Sequence, residues 1–160
     1  MRITTDSVAM TESLGETLGR AAPSNLVIAL DGQLGAGKTH FSRGIARGAL
    51  VADLDLVASP TYVIMNVYEA SAAPGAKPVY HLDAYRLHGA DDLEALGFSE
   101  LLDSGGIIVI EWASRVRDLL PADHLAITLS VGDQPTSRLF EFSANGPRSS
   151  AVLAALAPLS

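Results

Sequence analysis

Leu26-Val27-Ile28-Ala29-Leu30-Asp31-Gly32-Gln33-Leu34-Gly35-Ala36-Gly37-Lys38-Thr39 is the stretch from which the rest of the chain can be read. It opens on five apolar residues, the mark of a strand covered on both faces. It then turns through a glycine-rich segment with the spacing G-x-x-x-x-G-K-[ST], the phosphate-binding loop pattern. Glycines allow successive backbone N–H groups to point into one hollow and let a phosphate approach without meeting a Cβ. A helix starting at Lys38 turns its free N–H groups and positive dipole end toward the same anion. Lys38 can reach the β- and γ-phosphates, and the Thr39 hydroxyl can coordinate Mg²⁺. Gly32, Leu34, Gly35, Ala36, Gly37, Lys38 and Thr39 are therefore the candidate nucleotide contacts. The competing reading is a glycine-rich turn that binds nothing; the pattern arises by chance in roughly 0.5% of chains this long, and the strand before it and the amphipathic stretch after it are the required context.

Outward from the loop, both flanks have the expected periodicity. The helix is predicted over 38–50, with Phe41, Ile45 and Ala49 on its core face. Arg43 and Arg47 fall on another face and read as solvated. Upstream, Thr11 to Ala22 reads as a helix with Leu14, Leu18 and Ala21 on one side. Thr11 is its candidate cap, and residues 1–10 read as an extended lead. Downstream, Ser59-Pro60-Thr61 breaks the chain before a β-rich run over 62–68. A flexible connection over 71–78 leads to a second strand over 79–86. Residues 90–102 are helical in character, with Leu93, Leu96 and Leu101 as core candidates and Gly97 dividing the segment. Ile107 to Ile110 repeats the continuous apolar pattern of the first strand. A short helix over 114–120 stops at Pro121. Residues 125–131 and 138–143 alternate as an antiparallel pair, and 149–156 closes the chain as a helix. The expected fold is α/β: a single P-loop NTPase-like domain over 1–160, with a mixed, largely central β-sheet flanked by helices.

Composition sets limits. The 160 residues carry a net charge of −7, with two lysines and no cysteine. Disulfides, thiolate metal sites and cysteine nucleophiles are excluded. The acidic balance and the absence of a basic cluster argue against direct nucleic-acid binding, which rests on neutralising phosphates. No apolar run is long enough to span a membrane, the first residues lack a signal-peptide core, and cytoplasm is the expected compartment.

Two carboxylates are the other candidates for chemistry. In His81-Leu82-Asp83-Ala84-Tyr85-Arg86, a strand would put His81, Asp83 and Tyr85 on one face. A carboxylate beside a phosphate site can hold Mg²⁺ or orient a water; a mixed surface strand is the plain alternative. Glu111 ends a buried strand, where a carboxylate is costly unless paired or metal-bound. Trp112 is the only tryptophan, and it could stack on an adenine or fill the core. A threonine at 61 can sense a γ-phosphate or serve an ordinary turn. No Asn-Lys-x-Asp pattern, arginine-rich lid or metal-spaced histidine pair is present.

Taken together, GQLGAGKT at 32–39, SPT at 59–61, HLDAYR at 81–86 and IEW at 110–112 resemble the TsaE family, the small bacterial ATPases of tRNA threonylcarbamoyladenosine biosynthesis. The resemblance implies ATP phosphates on the 32–39 loop, Mg²⁺ on Thr39 and Glu111, and Asp83 as the acid needed for hydrolysis. Lys38, Asp83 and Glu111 would then be the catalytic groups. It further implies Trp112 near the adenine, Thr11 near the base, and Ser59, Pro60 and Thr61 as a nucleotide-sensing switch. It implies weak ATP hydrolysis alone, action with the TsaD and TsaB proteins as a complex, and contact with tRNA only through that complex. Gln33, His40 and Ala113 stand where the family commonly has an acid, a second threonine and a proline; none removes a phosphate or Mg²⁺ group. A P-loop kinase of a small metabolite and a nucleotide-gated binding module with negligible catalysis are the alternative functions.

Overall fold

The computed structural model describes residues 1–58, 60 and 64–159. In chain order the elements are β1 (Arg2–Thr5), α1 (Val8–Ala21), β2 (Val27–Gly32), α2 (Lys38–Gly48), β3 (Met65–Tyr68), β4 (Val79–Asp83), α3 (Ala90–Glu94), α4 (Phe98–Leu101), β5 (Ile107–Glu111), β6 (His124–Val131), β7 (Arg138–Ala144) and α5 (Pro147–Leu156). Shorter 3-10 helices cover Ala84–Arg86, Ala113–Leu119 and Ala157–Leu159.

Among the described residues, seven strands join one sheet in the order β1-β7-β6-β2-β5-β4-β3. Its centre is parallel, with β2 between β6 and β5 and with β4 beyond β5. Antiparallel strands flank that centre: β3 on β4, β7 on β6, and β1 on β7. The mixed, helix-flanked sheet expected from the sequence is thus the observed one.

The continuous apolar runs are buried on both faces, as their composition requires. In β2, Ile28 and Leu30 face one core while Val27 and Ala29 face the other. In β5, Ile107 and Val109 face the first core and Ile108 and Ile110 the second. The first core packs α1, α2 and α5 through Leu14, Leu18, Phe41, Ile45, Val152 and Leu156. The second packs Leu93 of α3, Phe98 of α4 and Val116 against the opposite face.

Helices α1 and α2 meet through glycines. A Cβ at Gly15 or Gly19 would run into the carbonyls of Phe41 and Ile45, and one at Gly44 or Gly48 into those of Glu12 and Glu16. Paired small residues four apart on each helix let the two backbones touch. Polar bonds seal the contact: Glu12 accepts from Arg47 at 3.1 Å and pairs with His40 at 3.2 Å. Burial raises the Glu12 carboxyl, but the bonds from His40 and Arg47 outweigh it and hold the group below its ordinary range.

Several expectations are corrected. The lead over 1–10 contains β1, whose Ile3 and Thr5 alternate inward, and α1 starts at Val8 with Ser7 as its cap. The Ser7 hydroxyl accepts from the Met10 N–H at 3.2 Å. Thr11 therefore caps nothing; it is buried inside α1 and shares a 2.7 Å hydrogen bond with Thr5. Arg47 and Arg43 are half-buried, the latter donating to the Val57 carbonyl at 3.3 Å, and are not merely solvated. Among the described residues of the β-rich run, Met65–Tyr68 form a strand; 62 and 63 lie outside the described residues. The strand expected over 79–86 ends at Asp83, so Tyr85 leaves the face shared by His81 and Asp83. The helix expected over 114–120 is a 3-10 segment broken at Val116. The division at Gly97 holds: it has φ 74° and separates α3 from α4. Leu93 is fully buried, whereas Leu96 and Leu101 only border that core.

Candidate nucleotide site

The loop between β2 and α2 has the geometry its glycines promise. Gly37 has φ 103°, a left-handed conformation that leads directly into the first turn of α2. Ala36 N–H donates to the Gln33 carbonyl at 3.1 Å and closes the turn. Lys38 is 6% exposed and folds back over the loop, donating to the carbonyls of Gly32 at 2.7 Å and Gln33 at 3.2 Å. Burial pushes its ammonium below the ordinary lysine range, against the pull of Glu111, Asp83 and Asp31. An ammonium desolvated among carbonyls and carboxylates is a ready partner for an entering polyanion.

Register brings the two acids together. Asp83 ends β4, Glu111 ends β5, and the two are directly paired across the parallel ladder. Glu111 in turn pairs with Leu30 of β2, just ahead of the loop. Both carboxylates therefore sit at the carboxyl ends of parallel strands, where open α/β sheets hold ligands. They share a cavity of about 630 Å³ with Leu34, Gly35, Gly37, Lys38 and Thr39, a volume suited to a nucleotide. Glu111 is 3% exposed, and its Oε1 is 2.9 Å from His81 Nε2. Its other oxygen makes no hydrogen bond among the described residues. Asp83 is half-buried and accepts from the Tyr85 N–H at 2.9 Å, which sets the bend after β4.

These are hard oxygen donors, and they fit Mg²⁺. Among the described residues no cluster of three or more acidic, histidine or cysteine side chains could hold an ion alone. Mg²⁺ suits such a site, because it commonly takes one or two protein oxygens and completes its shell with phosphates and water.

The remaining candidates fall in different places. Trp112, at φ 57°, turns its ring under the Lys38 ammonium, 4.4 Å from the ring centroid. Tyr85 lies 5.2 Å beyond it, and the Arg115 guanidinium is 4.9 Å from Tyr85. Trp112 thus lines the cavity, with its ring against Lys38. Thr11 is buried and lines no part of the cavity; α1 reaches it through Val8. Gly32 and Ala36 do not line it either: Gly32 packs against Leu129, and Ala36 is buried. Pro60 is buried, while Ser59 and Thr61 lie outside the described residues.

Five lining residues were not singled out from the sequence as site residues: Val8, His40, Tyr85, Arg86 and Arg138. Arg138 reaches over the loop from β7, donating to Pro135 and Ser137 carbonyls at 2.9 and 2.8 Å, with its side chain flat on Gly37. Nothing local to residue 138 signals this, since only the sheet order brings β7 near the loop. His40 carried a signal, its place immediately after Thr39.

Comparison with known proteins gives one answer. A family model described as "Threonylcarbamoyl adenosine biosynthesis protein TsaE" matches residues 5–139. The chain is 34% identical over 139 residues to the tRNA threonylcarbamoyladenosine biosynthesis protein TsaE of Bacillus subtilis (strain 168), covering 86% of this chain and 82% of that one. It is 35% identical over 131 residues to the protein of the same name from Treponema pallidum (strain Nichols), covering 82% and 92%. The crystal structure of Bacillus subtilis YdiB superposes with a TM-score of 0.81 at 27% identity, covering 99% of this chain and 94% of that one. The loop, the paired acids and the sheet order thus occur in a chain that belongs to the TsaE family, whose members take part in tRNA threonylcarbamoyladenosine biosynthesis.

Proposed function

We propose that this protein binds ATP with Mg²⁺ on the 32–39 loop and hydrolyses it. The observation that carries the reading is the convergence of Lys38, Thr39, Asp83 and Glu111 on one cavity at the carboxyl ends of β2, β4 and β5. Lys38 exchanges its loop carbonyls for the β- and γ-phosphates. The loop N–H groups and the α2 N-terminus hold the phosphates from below. Thr39 and Glu111 hold Mg²⁺, which when bound draws negative charge off the phosphate oxygens. Asp83, beside Glu111, orients the attacking water. Ser59, Pro60 and Thr61 remain the proposed nucleotide-sensing switch.

In tRNA threonylcarbamoyladenosine biosynthesis, this turnover serves a complex of the TsaD and TsaB proteins in the cytoplasm, driving or resetting threonylcarbamoyl transfer. The net charge of −7 supports a protein that reaches tRNA through its partners and does not grip it directly. The test is ATP hydrolysis by the purified chain, alone and with TsaD and TsaB. Slow turnover that rises sharply with partners is expected. Fast turnover indifferent to them would overturn the assignment to the complex, and absence of Mg²⁺-dependent nucleotide binding would overturn the site.

A further inference from the structure

The first turn of α2 sends two cavity-lining side chains in opposite directions. Lys38 and His40 are two residues apart, so they leave the helix about 200° apart. Lys38 turns to the loop carbonyls of Gly32 and Gln33. His40 turns to α1, where its Nδ1 lies 3.2 Å from Oε1 of Glu12. Both line the cavity, which therefore extends to either side of the α2 N-terminus. The side of Lys38 holds the acids Asp83 and Glu111. On the side of His40, α1 contributes Val8.

The proposed hydrolysis leaves the His40 side without a task. Val8 is 52% exposed, and Leu34, on the crest of the loop, is 93% exposed. Neither offers anything to a phosphate, and both suit an apolar surface. Thr11, expected near the base, is buried against Thr5 and out of reach. The imidazole has one edge engaged by Glu12, which leaves its flat faces for a ligand. Glu12 is itself fixed. It accepts from Arg47 at 3.1 Å, and its backbone lies against Gly44, where a Cβ would meet its carbonyl. The packed contact between α1 and α2 thus sets the angle of a ring at the cavity edge.

We infer that His40 packs its ring against the base of the bound nucleotide, and that Glu12 is the positioning residue that holds the ring there. The inference deepens the proposed nucleotide reading and rests on it. With the terminal phosphates on Lys38 and Thr39, the nucleoside extends past the α2 N-terminus toward His40 and Val8. Stacking uses the ring face, so it works with the imidazole neutral or charged. A face reads no base edge, so this contact favours a nucleoside over bare phosphate without choosing the base. The residue belongs to this chain in particular, since the family commonly has a threonine at that place.

Two measurements on the full chain test it. In the first, binding of a non-hydrolysable ATP analogue and of inorganic tripolyphosphate is measured with Mg²⁺. His40→Ala should bind the analogue roughly 10-fold more weakly and tripolyphosphate as wild type does. His40→Phe, which keeps a ring, should recover most of the loss. Glu12→Ala, which frees the ring, should weaken the analogue less than His40→Ala does and leave tripolyphosphate unchanged; a merely structural role would move both. Wild-type affinity of His40→Ala for the analogue, as expected were Trp112 to hold the base, would overturn the inference. So would an equal loss for tripolyphosphate. The second measurement needs no variant. In the NMR spectrum of the wild type, the His40 ring protons should move upfield with the analogue, under the ring current of the base, and not with tripolyphosphate. A like response to both ligands would overturn the stacking. A wild type that bound neither ligand would refute the nucleotide reading itself, and this inference with it.

Discussion

The two sides of β2 are built on different principles. On one side, α1 and α2 lock together backbone to backbone, with glycines against carbonyls and Leu14, Leu18, Phe41 and Ile45 filling the core beneath. On the other, β4 and β5 end in a pair of carboxylates backed by histidine, tyrosine and asparagine. The first side is held by packing, with the two helix backbones in direct contact. The second is held by a few directed hydrogen bonds. The lesson is a division of labour: the packed side holds the 32–39 loop and Lys38 in place, and the polar side carries the carboxylates proposed to act with them.

That division predicts opposite consequences for mutation. The largest effect belongs to the groups in the cavity. Lys38→Ala should abolish detectable Mg²⁺-ATP turnover, and Asp83→Asn should lower it roughly 100-fold or more. Yet Asp83→Asn keeps an oxygen for the Tyr85 N–H, so its melting temperature should stay within about 2 °C of wild type. Steady-state hydrolysis and a thermal melt of the same sample decide this. A large fall in melting temperature, or intact turnover, would break the contrast.

Next in size is a change on the packed side. Gly44→Ala gains helix propensity of about 0.5–1 kcal/mol but drives a Cβ into the Glu12 carbonyl. Crowding of this kind costs about 1–3 kcal/mol. The net should be a loss, read as a melting temperature lower by a few degrees, with nucleotide affinity changed little. A higher melting temperature would show that the helices can part at no cost.

The smallest effect is electrostatic. Glu12 titrates below its ordinary range in the folded chain because His40 and Arg47 outweigh its burial. Such a group contributes stability above the ordinary glutamate range, and loses it as the pH falls through its folded value. Glu12→Gln should therefore be less stable than wild type by up to about 1 kcal/mol at neutral pH. The gap should close in acid, below about pH 4. Denaturant melts at several pH values measure it, and a gap that widened in acid would reverse the sign.

The packed and polar sides were also unequally legible. The loop, β2 and the core face of α2 follow from spacing within a few residues, so Phe41, Ile45 and Ala49 could be placed without any neighbour. The pair β6–β7 follows from alternation, although β7 reaching the loop through Arg138 does not. Glu111 could be recognised as a costly buried acid, but its partner His81 needed the register of β4 on β5. Thr11 resembled a cap because Ser7 lies in a segment whose β1 strand is only four residues long, too short for a clear period. The glycines of α1 and α2 look like poor helix formers in isolation; their purpose exists only once the helices are side by side. Trp112 was placed by its chemistry alone, and the left-handed turn that swings it toward Lys38 has no local marker.

One consequence of the strand order concerns how the molecule is made. Strand β1 pairs, among the described residues, only with β7, and its Arg2 meets Glu141 at a separation of 139 residues. Strand β2 likewise waits for β5 and β6. In a growing chain β1 and β2 therefore emerge well before their native partners, with the apolar β2 run unpaired until those strands follow. Long-range pairing of this kind slows folding and exposes strand edges meanwhile. During that interval α1 and α2, whose contact is local in sequence, are the parts able to shield the nascent β2 face.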